Sequence, residues 1–251
     1  MNPNLEKQSR PVRLMFAGGC HVLGYPVGER NGFPAEIKRL FLSANAKAVY
    51  HCVGYLKLTH FNRLNFEIQQ FQPDVLILQI GHYELTKKML DVGLSSRSRK
   101  STTIAPHPPR FATTKERLAW RVRSLLKLVI HLTFSRFRVD HLAFKAELEQ
   151  FLGSIEMAGP RVVILSPFPA ADPVVTKIRM DVLEVFRSSA SAHNMFFVDI
   201  AKTESFVKAG FAPYYDGIHL NAEGHRRIAK ALMPPLLSIV SNVEIPSIQT
   251  P

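Results

Sequence analysis

Residues 73–81 read Pro-Asp-Val-Leu-Ile-Leu-Gln-Ile-Gly. Pro73-Asp74 breaks any preceding helix, Val75–Ile80 is an uncharged and almost wholly aliphatic run, and Gly81 closes it. A short continuous apolar run bounded by turn residues, rather than an alternating one, suits a strand covered on both faces. Four more segments of this type flank it. Val12–Ala17 ends at Gly18-Gly19, and Ala48–Val53 ends at Gly54. Arg161–Leu165 leads into Ser166-Pro167-Phe168-Pro169, and Met195–Ile200 is the last. Helical spacing separates them. Asn31-Gly32-Phe33-Pro34 opens a helix with Ile37, Leu40 and Phe41 on one side; Leu64–Phe71 and Asp181–Ser191 are two more. A final helix is expected from Ala222 to Val240, kinked or interrupted at Pro234-Pro235. Strands alternating with helices predict an α/β domain built on a five-stranded parallel sheet with helices on both faces.

Composition agrees with that reading and narrows the function classes. Of 251 residues, 46% are hydrophobic and 21% charged, which fits a packed domain and argues against wholesale disorder. No uncharged apolar run reaches the ~18 residues of a spanning helix. Residues 1–13 are polar and carry no apolar signal core, so the cytoplasm is the expected compartment. Two cysteines, Cys20 and Cys52, do not make a disulfide framework. The net charge of +12 is unevenly spread. Thr86–Lys145 holds fourteen Lys/Arg against three acids, and the remainder is nearly neutral. The expectation is one domain over 1–251 with a basic, partly helical insertion at 86–145.

Ligand sites in parallel α/β sheets lie beyond the C-terminal strand ends. The polar residues gathered there are Cys20, Gly54, Gly81-His82-Tyr83-Glu84 and Asp216-Gly217-Ile218-His219. Acyl chemistry needs a base held in one tautomer by an acceptor on its far nitrogen, and an Asp three residues before a His can supply both from one turn. Asn221 is suited to cap the helix that follows. Cys20, directly after the first strand, is a candidate nucleophile or a small buried hydrophobe. A zinc site drawn from Cys20, His21, His51, Cys52 and His82 lacks any familiar ligand spacing, so no metal and no cofactor is expected.

Together the segments resemble the blocks of the SGNH (GDSL-type) hydrolase family. Gly18-Gly19-Cys20 stands where that family has Gly-Asp-Ser, and Gly54 matches its oxyanion glycine. Gly81-His82-Tyr83-Glu84 stands for Gly-x-Asn-Asp, and Asp216-x-x-His219 matches the final block. The resemblance implies a flavodoxin-like three-layer α/β/α fold and acyl-ester or thioester hydrolysis, or acyl transfer. It implies Cys20 as nucleophile, His219 as base and Asp216 as its orienter. Cys20, Gly54 and Tyr83 are expected to form the oxyanion hole, with His21, His82 and Glu84 as substrate contacts. Cys for Ser makes the covalent intermediate a thioester, which favours capture by an amine or thiol. Tyr for the oxyanion Asn replaces a short amide donor with a longer phenol. A catalytically inactive SGNH-like binding protein is the alternative.

Within the insertion, Arg117–Leu132 has the spacing of an amphipathic helix: Leu118, Val122, Leu125, Leu126, Val129 and Ile130, with Arg121, Arg123 and Lys127 between them. It reads as a lid, a membrane-surface contact, a dock for an acidic carrier protein, or a helix packed on the body with its bases in water. Beyond this, the expected partner is a small-molecule or carrier-bound acyl substrate. Nucleic acid is not expected, because no aromatic-rich basic motif accompanies the charge.

Overall fold

The computed structural model describes residues 10–81, 84–85, 114–133, 140–156, 159–168, 170–202 and 212–241. In chain order these form β1 (Val12–Gly18), α1 (Phe33–Ser43), β2 (Ala48–Val53), α2 (Phe61–Phe71) and β3 (Val75–Gln79). Then come α3 (Thr114–Thr133), α4 (His141–Glu156), β4 (Arg161–Leu165), α5 (Pro173–Asp181), α6 (Leu183–Ala192), β5 (Phe196–Val198) and α7 (Ala222–Ser241). The sheet is fully parallel in the order β2-β1-β3-β4-β5, the flavodoxin-like arrangement.

Period-two alternation divides the core in two. Val12, Leu14 and Phe16 of β1, with Val75, Ile77, Val163 and Leu165, pack against α1 and α7. Met15 and Ala17, with Leu76, Leu78, Val162 and Ile164, pack against α2, α4, α5 and α6. Every residue of β3 is buried, as a strand covered on both faces requires. Asp74 ties the lower ends of the strands together: its carboxylate pairs with Arg10 at 2.6 Å and accepts the Arg13 N–H at 2.8 Å, while its carbonyl accepts the Arg161 N–H.

Three elements differ from the sequence reading. α4 was not expected; its Phe144, Leu148, Phe151, Leu152 and Ile155 form a fully buried helical stripe and supply the crossover between β3 and β4. α5 was not expected either: the sequence reading passes from the proline-rich Ser166-Pro167-Phe168-Pro169 directly to a helix at Asp181. Yet Pro173 sits at the first helical position, and Asp172 caps the helix by accepting from the Val174 and Val175 N–H groups at 2.9 and 3.3 Å. α7 continues through Pro234-Pro235. Leu232, Met233, Leu236, Ile239 and Val240 on either side are buried against the sheet, and this packing outweighs the lost backbone hydrogen bonds.

Candidate active site

The strand order reverses between β1 and β3, which opens a crevice at their C-terminal ends. Cys20 stands at that point. It begins a short 3₁₀ turn, Cys20–Leu23, directly after Gly18-Gly19. Only glycine fits at 18, since a Cβ there would lie 2.1 Å from the Gln79 carbonyl oxygen. The buried Gln79 side chain accepts the Gly19 N–H at 2.9 Å, which holds the backbone just ahead of the cysteine. The turn is closed by the Tyr25 N–H, donating to the Cys20 carbonyl at 3.2 Å.

Asp216 and His219 lie on the loop before α7. One Asp216 oxygen accepts the backbone N–H of Ile218 (3.1 Å) and of His219 (2.8 Å); the other is 2.8 Å from His219 Nδ1. The loop is pinned at both ends. Asn221 donates its N–H to the Pro213 carbonyl, and its side chain caps α7 by accepting the Gly224 N–H at 3.0 Å. The Gly217 carbonyl accepts the N–H groups of Ala171 and Asp172, which clamps the loop to the start of α5. With Nδ1 committed to Asp216, the remaining ring nitrogen, Nε2, is left for Cys20, whose side chain hydrogen-bonds to His219.

Electrostatics follow from these contacts. Burial works against a charged His219, but the hydrogen bonds to Asp216 and Cys20 more than offset it and raise its pKa to about 9. Burial alone would raise Asp216; its hydrogen bonds to His219 turn the net shift downward. A second cation stands close by. Arg179 of α5 is buried, donates to the Phe168 carbonyl, and feels the fields of Tyr214, Cys20 and Asp172. Burial lowers it to about 10, which leaves it protonated at neutral pH.

Aromatic rings line the back of the crevice. His21 is fully buried, with ring centroids 5.5 Å from Phe168, 5.7 Å from His219 and 6.2 Å from His225. Tyr25 lies edge-on to His219 at 4.8 Å. His225 accepts the Phe33 N–H at Nδ1 (3.2 Å) and stacks on the Phe33 ring.

The structure thus brings Cys20, His21, Asp216 and His219 together. The strand register sets Ala17 beside Val53, so Gly54 follows at the level of Gly18. Glu84 gives one oxygen to the Leu58 N–H at 2.8 Å. His82 and Tyr83 lie outside the described residues. Among the described residues no group of three His, Cys, Asp or Glu side chains is arranged to hold a metal ion. His51 pairs with Glu67 at 2.9 Å, and burial pushes the Cys52 thiol up to about 12. Sequence reasoning missed Arg179 and Gln79. Arg179 carried a signal: it stands in one helical stripe with Val174, Val175 and Ile178, where a solvated base would not be placed.

No protein-family model and no curated protein matches the sequence. Solved structures do resemble its fold. A chain ascribed to the G-D-S-L lipolytic family from Desulfitobacterium hafniense DCB-2 is 12% identical at TM-score 0.57, over 89% of this chain and 98% of that one. The lipase/acylhydrolase from Enterococcus faecalis is 14% identical at TM-score 0.56, over 90% and 96%. A family 3 carbohydrate esterase from Clostridium thermocellum is 14% identical at TM-score 0.59, over 93% and 100%. At such identities the likeness shows the fold, an α/β fold of SGNH-hydrolase type.

Proposed function

We propose that this chain cleaves or transfers acyl groups held in ester or thioester linkage, with Cys20 as nucleophile, His219 as acid–base and Asp216 as orienter. The observation that carries this reading is the Asp216–His219 pair at 2.8 Å with the Cys20 side chain hydrogen-bonded to the same imidazole. The structural neighbours include lipases and esterases, which supports ester chemistry.

Cys20 gives its proton to His219, and the sulfur attacks the acyl carbonyl, forming the C–S bond and a tetrahedral oxyanion. The N–H groups of Cys20 and Gly54, with the Tyr83 hydroxyl, are the proposed donors to that oxygen. Collapse breaks the bond to the leaving group, which takes the proton from His219. Water or an acceptor nucleophile then loses a proton to His219 and attacks the thioester, returning Cys20.

Intact-mass analysis after incubation with activated acyl esters tests the reading. The expected result is a mass gain of one acyl group that disappears in Cys20→Ala. Absence of an adduct with any short- or long-chain ester would favour the inactive SGNH-like binding protein.

A further inference from the structure

We propose that α3 is an interfacial helix that docks this protein on an anionic lipid surface. Leu118, Val122, Leu125, Leu126 and Val129 recur at the spacing of one helical face, and each is 56–62% exposed. Helices of globular domains turn such a stripe toward the core; here it faces out. A continuous exposed apolar patch marks an interaction site.

The occupant follows from charge. α3 carries five bases, Lys115, Arg117, Arg121, Arg123 and Lys127, against one acid, Glu116. Lys115 and Arg123 are exposed on the same helix as the stripe. The surrounding 86–145 stretch is strongly basic throughout. A second copy of this chain would set one strongly basic segment against another, which charge repulsion opposes. An acidic carrier protein would satisfy the bases but gives the five aliphatic side chains no role. An anionic bilayer satisfies both, with aliphatic groups in the acyl boundary and bases at the headgroups. No helix among the described residues is long and apolar enough to cross a membrane, so α3 would lie in the surface plane. It packs on α5, the helix that bears Arg179, and so holds the lipid surface beside an element bordering Cys20.

Co-sedimentation with vesicles of phosphatidylcholine alone, or mixed with phosphatidylglycerol, tests the proposal. Binding does not depend on acyl chemistry, so it is measured on Cys20→Ala protein as well as on the unaltered chain. Both should partition to the mixed vesicles at low salt and much less at high salt, as screening lengths fall from about 10 Å to about 3 Å between 0.1 and 1 M. Lys115→Glu with Arg123→Glu should weaken partition by more than roughly tenfold, at about fivefold per base removed. Leu125→Asp with Leu126→Asp should abolish it while leaving the circular dichroism and melting temperature unchanged. Leu125→Ser, a milder change, should give an intermediate loss. Three results would overturn the proposal: no partition by the unaltered chain, loss with the base variants but none with the apolar ones, or a dimer of the unaltered chain that Leu125→Asp dissolves. The second points to an acidic protein and the third to a second copy.

Discussion

Sulfur and oxygen make different demands on the imidazole beside them. A His219 raised to about 9 holds its proton at neutral pH and is therefore a poor base for an alcohol. A thiol parts with its proton far more readily than an alcohol does, so the same imidazole serves it better. Cys20→Ser should thus lose at least about a hundredfold in acyl-adduct formation at pH 7, although it restores the serine of the resembled family. Adduct formation by the serine variant within tenfold of the unaltered chain would refute this need for sulfur. Two histidines also set opposite pH limits on stability. Burial lowers His225 to about 4. Between pH 6.5 and 4 the unfolded chain binds this proton and the folded one does not, so stability falls with acid, by about 3 kcal/mol. His219 has the reverse sign: its contribution is complete below pH 6.5 and is lost as pH rises through 9. Denaturant titrations should find maximal stability near pH 6.5, and His225→Gln should remove the acid-side slope. An unchanged acid slope in that variant would assign the effect elsewhere.

Among the elements, the joint between the Asp216–His219 loop and α7 is tight. A Cβ at Gly224 would lie 2.2 Å from the Pro213 carbonyl oxygen, at the first turn that Asn221 caps. Backbone cannot yield as a side chain can, so Gly224→Ala should cost about 1–3 kcal/mol. It should also slow acyl-adduct formation, since Asp216 and His219 ride on that loop. Gly153→Ala, inside α4, is the control. Its nearest new contact is His193 Cε1 at 3.7 Å, so the melting temperature should hold or rise slightly. Equal effects at the two positions would show that the loop does not depend on the joint. The same scale explains what sequence patterning could and could not show. β3 was legible because burial on both faces leaves a continuous apolar run. α5 was not, because a proline serves equally well in a loop and at the first position of a helix.

Across the whole molecule, charge and burial draw different boundaries. The basic stretch 86–145 ends within α4, yet α4 belongs to the body: Leu148, Phe151, Leu152 and Ile155 are fully buried under the sheet. Leu148→Ala should therefore cost about 2–5 kcal/mol, as large-to-small changes in a packed core do. Leu125→Ala on α3 should stay within about 0.5 kcal/mol. Similar losses for both would mean that α3 is as much a part of the fold as α4.

The sequence by itself determined the parallel sheet, its two covered faces, Cys20 just past the first strand, and Asp216 and His219 just ahead of the last helix. These depend on short-range patterns: apolar runs, glycine stops, and a carboxylate within one turn of an imidazole. Tertiary structure alone decided that Cys20 and His219, 199 positions apart, share a hydrogen bond. It decided too that Arg179 reaches the same crevice and that the apolar face of α3 turns outward. The physical reason is that each depends on which elements pack together. Local periodicity gives a helix an apolar side, but only the surfaces left uncovered by its neighbours decide whether that side meets the core or the solvent.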